Sequence, residues 1–145
     1  MPARTASTAW EGGIDDGRGR TSLDSSGAAT FDVFFPSRVA DGPEHNQTDP
    51  EELVAAAHAT CFSMNLAGTL GRNDVKLKTL RTSVKVTLAK NDAGLTITTI
   101  EITARATVDG AEKDRFAELA AEAERTCPVS KALAGTTITL DAALE

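Results

Sequence analysis

Sulfur is scarce in this sequence, and the scarcity is informative. Only two cysteines, Cys61 and Cys127, occur among 145 residues. There is no Cys-x-x-Cys and no His-x-x-x-His. His58 and the two cysteines are left without a fourth ligand at ordinary spacing, so the sequence gives no metal site. Basic charge is also in deficit: 15 Lys and Arg stand against 21 Asp and Glu, a net charge of −6. That balance argues against a nucleic-acid partner, which needs a basic footprint, and against docking on an anionic membrane. Residues 1–8 lack the apolar core of a signal peptide. The most apolar stretch, 53–70, carries no Asp, Glu, Lys or Arg, yet His58, Thr60, Ser63, Asn65 and Thr69 dilute it. A bilayer span needs roughly 20 predominantly apolar residues, so this stretch reads as the core helix of a soluble protein. Repeats and low-complexity segments are absent. Gly17-Arg18-Gly19-Arg20 lacks the strand–loop–helix setting of a phosphate loop. A cytoplasmic setting follows as the expectation. There both thiols are reduced at rest, and any disulfide is transient and functional.

What remains is ordinary for one folded domain spanning 1–145, with 41% hydrophobic and 25% charged residues. Short strands are expected at 6–12, 18–23 and 29–35, the last ended by Pro36, followed by a polar loop over 37–48. Asp49-Pro50-Glu51-Glu52 is a helix start: Asp49 caps, Pro50 suits the first position, and Glu52 sits where a capping box places its acid. The helix should run to about Leu70 with Gly71 as its stop. Leu53, Val54, Ala57, Phe62, Met64, Leu66 and Leu70 surround it, the pattern of a buried central helix. Strands over 80–90 and 95–108, joined by an Asn91-Asp92-Ala93-Gly94 hairpin, follow, with a bulge near Thr98-Thr99 where the alternation slips. A second helix over 112–126 carries the stripe Phe116, Leu119, Ala120, Ala123, continued by Cys127. A short helix over 128–133 and a closing strand over 136–144 complete an α+β chain.

The two cysteines read either as small core residues or as a redox pair, and spacing alone does not decide. A thiol that attacks peroxide needs a depressed pKa. Cys61 lies mid-helix, so a neighbouring cation is required; burial alone would leave it inert. Arg18, Arg20 and Arg38 lie upstream, and Arg125 and Lys131 lie near Cys127. Arg38 is favoured because it follows a strand close to the helix entrance, and a guanidinium can also donate to a departing alkoxide. The plain alternative is a solvated loop arginine. Glu51 could hold Arg38 through a bidentate pair, or simply face the helix dipole. Ten residues of helix separate Glu51 from Cys61, roughly 15 Å along the axis. They could share a site if two copies of the helix packed antiparallel, which would make an obligate homodimer with composite sites. Cys127, before Pro128, lies close to unpaired N–H groups of the short helix, which favours a thiolate. His58, three residues before Cys61, reads best as a helix-packing histidine, and His45 sits in the polar loop without a clear signal.

The run from Asp49-Pro50-Glu51-Glu52 through Ala56-Ala57-His58-Ala59 to Cys61-Phe62-Ser63-Met64 resembles the central-helix signature of the OsmC/Ohr family of thiol-dependent hydroperoxide reductases. Cys127-Pro128-Val129-Ser130-Lys131 resembles its second motif, and Ala9-Trp10-Glu11-Gly12 and Phe35-Pro36-Ser37-Arg38 also fit. The Ala-Ala-His-Ala and Pro-Val-Ser-Lys runs look more like the OsmC branch. One departure is Asp49, where the family usually has Asn; both cap helices. The resemblance implies an intertwined homodimer, its antiparallel sheets packed around two long central helices. It implies a peroxidatic Cys61, a resolving Cys127 joined to it by a redox disulfide, an activating Arg38 and its partner Glu51. The implied substrate is an organic hydroperoxide, with hydrogen peroxide as a further one, and the implied reductant is a small dithiol or a lipoyl group. No cofactor is implied. A redox-sensing or stress-protective binding protein using the same cysteines without turnover is the competing reading.

Overall fold

Asp49 caps the longest helix in the molecule: its Oδ1 accepts the Glu52 N–H at 2.7 Å. The structure, a computed structural model, describes residues 1–42 and 46–145 and falls into two units, Met1–Leu53 and Val54–Glu145. His45 lies outside the described residues.

The first unit is a four-stranded sheet in the order β1 (Ser7–Glu11), β2 (Arg18–Ser22), β3 (Thr30–Val33), β4 (Gln47–Thr48). The β1–β2 and β2–β3 pairs are antiparallel and β3–β4 is parallel. Between β3 and β4 the chain makes one helical turn, α1 (Phe35–Arg38), with Pro36 in its first turn. Pro36 therefore starts a turn of helix, where its missing N–H has no bond to lose. Gly19 is required by close approach: a Cβ there would lie 2.7 Å from the Trp10 ring and 2.8 Å from a Val33 methyl. Among the described residues this unit buries only polar side chains, Ser37, Thr48 and Glu51, while Trp10, Ile14 and Val39 stay exposed. A small sheet that buries no apolar side chain lacks the main source of folding free energy.

The second unit holds the core. Helix α2 (Pro50–Arg72), which begins in the first unit, brings Phe62, Leu66 and Leu70. Strands β5 (Lys76–Asn91) and β6 (Gly94–Asp109) form a long antiparallel hairpin through the expected turn. Thr87 pairs with Thr99 and Leu88 with Ile97, so Thr98 is the extra residue of the expected bulge. Ile100, Ile102, Ala104 and Ala106 alternate inward along β6 and are buried. Helix α3 (Lys113–Thr126) buries the expected Phe116, Leu119, Ala120 and Ala123. Each large apolar side chain in this set contributes on the order of 1.5–3 kcal/mol. Helix α4 (Pro128–Ala132) follows at once. Strand β7 (Thr137–Leu144) then pairs with β6 in parallel, made possible because α3 and α4 carry the chain back.

The fold is α+β with two sheets, as expected, but four features differ from the sequence reading. Each sheet contains one parallel pair and so is not wholly antiparallel. Helix α2 continues through Gly71 to Arg72, and Asp74, with φ 56°, makes the left-handed turn instead. Glu52 receives the Thr48 hydroxyl at 2.5 Å, so the carboxylate ties the entrance of α2 to β4. Nor is α2 buried on all sides within the chain. Opposite Phe62, Leu66 and Leu70 lie exposed Ala56, Ala57, Thr60, Met64, Ala67 and Gly68.

Candidate active site

Proline creates the local geometry around the second cysteine. A residue before Pro is pushed into extended conformation, and Cys127 adopts φ −62°, ψ 122°. It thus ends α3 and precedes α4. The break turns the fully buried Cys127 thiol onto α2, where its Sγ lies 3.2 Å from Cys61 Sγ. Both cysteines are free thiols, and Cys61 is partly exposed. The Val129 N–H, left without a helical acceptor at the start of α4, hydrogen-bonds Cys61. Burial pushes the Cys61 thiol up from its ordinary value; the Val129 bond pulls it down, and Cys127 adds to the rise. None of these three influences is a cation.

Two tethers hold the Cys127 segment. His58 is fully buried, and its Nε2 lies 2.8 Å from Ser130 Oγ. Its Nδ1 has no partner among the described residues. On the other side of Cys61, Asn65 Nδ2 donates to Ala123 O at 2.6 Å and Thr126 Oγ1 at 2.8 Å. Burial lowers the His58 pKa from its ordinary 6.5, with Glu124 opposing. The folded imidazole therefore stays neutral at a pH where the unfolded chain takes up a proton. Stability is full above about pH 6.5 and falls as the pH drops below it. In urea unfolding, His58→Gln is expected to flatten the loss of stability between about pH 7 and pH 5; an unchanged slope would assign that loss to other groups.

Arg38 and Glu51 lie in the first unit. The end of α1 carries the arginine and the first turn of α2 the acid. The pair is bidentate: Arg38 Nε donates to Glu51 Oε2 at 3.0 Å and Nη2 to Oε1 at 2.7 Å. Glu51 is only 8% exposed, and Arg38 pairs with both of its carboxylate oxygens. The Glu51 hydrogen bond raises the Arg38 pKa, holding the guanidinium charged. Arg38 lines a cavity of about 470 Å³ in the same unit, walled also by Trp10, Ile14, Val33, Phe34 and Phe35. The other cations considered are placed differently. Arg18 stacks over Phe34, 3.5 Å from the ring centroid, and Arg20 Nε sits 3.5 Å from Asp32. Arg125 and Lys131 point to solvent.

The structure thus brings together each expected pair, Cys61 with Cys127 and Arg38 with Glu51. Sequence reasoning missed the Val129 amide and the Asn65 tether. The signal for the first was present in Cys127-Pro128: the free N–H groups there serve Cys61, across from the break. Among the described residues no three His, Cys, Asp or Glu side chains cluster as a metal site.

A two-sheet α+β chain with two free thiols in contact at a helix break defines a class of dicysteine proteins. A family model for OsmC-like proteins matches residues 42–141. Peroxiredoxin OsmC of Escherichia coli (strain K12) is 37% identical over 132 residues, 91% of this chain and 90% of that protein. Organic hydroperoxide resistance protein OhrB of Bacillus subtilis (strain 168) is 26% identical over 120 residues, 82% and 85% of the two chains. The crystal structure of an organic hydroperoxide resistance protein from Elizabethkingia anophelis matches with a TM-score of 0.78, covering 99% of both chains at 22% identity. The chain belongs to the OsmC family.

Proposed function

We propose that the protein is a cytoplasmic, dithiol-dependent peroxidase acting on organic hydroperoxides. The observation that carries this reading is the 3.2 Å contact between two thiols 66 positions apart. The Cys61 thiolate attacks the terminal oxygen of the hydroperoxide. The O–O bond breaks, its electron pair leaves with the alkoxide, and protonation gives an alcohol. Cys61 becomes a sulfenic acid. The Cys127 thiolate then attacks the Cys61 sulfur, hydroxide leaves and is protonated to water, and a disulfide remains. A small dithiol or lipoyl group reduces it by two exchanges and is itself oxidised to a disulfide.

Activation of Cys61 calls for a cation, since burial raises its pKa and neither Val129 nor Cys127 supplies positive charge. Arg38, kept charged by Glu51, is the side chain we assign to this task, supplied by a second copy of the chain. Two features support an obligate homodimer in which the chain forms one domain, 1–145, completed by its partner. The first unit buries no apolar side chain among its described residues, and α2 leaves a face of Ala57, Met64 and Ala67 exposed. Packing α2 against its copy antiparallel would cover that face and bring Arg38 and Glu51 of one protomer to Cys61 of the other. The apolar walls beside Arg38 suit an organic group better than hydrogen peroxide.

The test is consumption of an alkyl hydroperoxide with either a dithiol or a monothiol as reductant. Catalytic consumption with the dithiol is expected, with much less from the monothiol. Reversible disulfide formation without multiple turnovers would instead support a redox-sensing or stress-protective binding protein.

A further inference from the structure

Two polar side chains on α2, the buried His58 and the partly buried Asn65, flank Cys61. His58 precedes it by three residues and Asn65 follows it by four, so all three share one face of the helix. Both reach the segment that carries the second thiol. Asn65 holds its near end at Ala123 and Thr126, and His58 holds its far end at Ser130. Cys127 lies between those anchor points. His58 is fully buried for the sake of one hydrogen bond, with Nδ1 unpartnered among the described residues. An apolar side chain would fill the space without leaving a buried nitrogen unsatisfied. With the proton on Nε2, the imidazole donates to the Ser130 hydroxyl, and its polar contact is spent on α4.

We infer that His58 and Asn65 are positioning residues that clamp the Thr126–Cys127–Ser130 segment over Cys61, so that the sulfenic acid is resolved without unfolding of either helix. The inference rests on the peroxidase reading above and adds a kinetic device to it. Closing the sulfurs from 3.2 Å to a bond of about 2.05 Å is a movement of only about 1 Å. Holding the attacking thiol at that distance raises its effective concentration. This matters because the sulfenic acid has a competing fate. Its oxygen-bearing sulfur can attack the terminal oxygen of a second hydroperoxide, releasing a second alcohol and leaving a sulfinic acid that the dithiol does not reduce. Fast resolution keeps Cys61 out of that channel.

The experiment is the partition of Cys61 between disulfide and sulfinic acid in the full-length protein, read by rapid quench and mass spectrometry over a range of cumene hydroperoxide concentrations. Partition depends only on the steps after the sulfenic acid, so it is insensitive to how readily Cys61 ionises. For His58→Ala, Ser130→Ala and Asn65→Ala, the hydroperoxide concentration giving half sulfinic acid is expected to fall by about tenfold or more. His58→Gln, whose amide reaches the same hydroxyl, should stay within about twofold of the parent. The His58→Ala/Ser130→Ala double variant should be no worse than either single change. Unchanged partition in folded single variants, or His58→Gln as impaired as His58→Ala, would overturn the clamp while leaving the peroxidase reading intact. A parent protein that forms no disulfide at all would overturn the peroxidase reading itself.

Discussion

Cys61→Ser is expected to abolish hydroperoxide turnover, while Cys127→Ser should complete one oxidation per chain and then stall. The two thiols touch, yet their surroundings give them different tasks. Cys61 is partly exposed and receives the Val129 N–H, so peroxide can reach it and its thiolate has a donor. Cys127 is fully buried behind it, able to meet the sulfur of Cys61 but shielded from solution. A serine at 61 cannot form a sulfenic acid, and the buried thiol left behind is out of reach. With serine at 127, Cys61 still attacks the first hydroperoxide. The resulting sulfenic acid then has no neighbour to condense with, and further peroxide drives it to the sulfinic state. Stoichiometric alcohol release in the first variant, or continued dithiol-driven turnover in the second, would reverse or remove the assigned roles.

Arg38→Met is expected to slow peroxide reduction by about 10²-fold, the usual consequence of losing one preorganised electrostatic donor. It should also move the pH midpoint of Cys61 oxidation upward. The sign follows from the thiol's surroundings: burial already pushes its pKa up, and removing a cation leaves less to oppose that. Glu51→Gln should act in the same direction but less strongly, because the guanidinium keeps its charge and loses its bidentate anchor. Co-expression separates a composite site from a self-contained one. Neither the Cys61→Ser nor the Arg38→Met homodimer has a complete site. A mixed dimer has one if Arg38 serves the other chain's cysteine. Random pairing should then restore about a quarter of the parent rate. Restoration absent in purified mixed dimers would place Arg38 at its own chain's cysteine or nowhere near one.

Local rules carried much of this from the sequence. The cap at Asp49, the inward stripe of α3 and the hairpin at Asn91–Gly94 depend on neighbours within a few residues, and each formed where those neighbours required. The bulge at Thr98 was legible because one slip in a period-two pattern leaves one residue unpaired. Elements set by distant partners were not legible. Strand β4 has two residues and exists through its pairing with β3. The parallel direction of β7 is set by α3 and α4 crossing back, which no pattern within Thr137–Leu144 records. Gly71 had the residue type of a helix stop but not the position, since Asp74 supplied the left-handed turn. At the site, Arg38 and Glu51 could be paired by chemistry and order in the chain. The Val129 amide could not, because a backbone N–H has no letter of its own. Its availability follows only from the proline before it and from α4 lying against α2.

Intact-mass analysis with peptide mapping, after one equivalent of hydroperoxide is added to the reduced protein without reductant, tests the pairing of the two thiols most directly. The expected product is a chain lighter by two hydrogens, with Cys61 and Cys127 joined within the same protomer and both thiols restored by a dithiol. A chain of unchanged mass, or one heavier by oxygen on Cys61 with Cys127 still free, would contradict it.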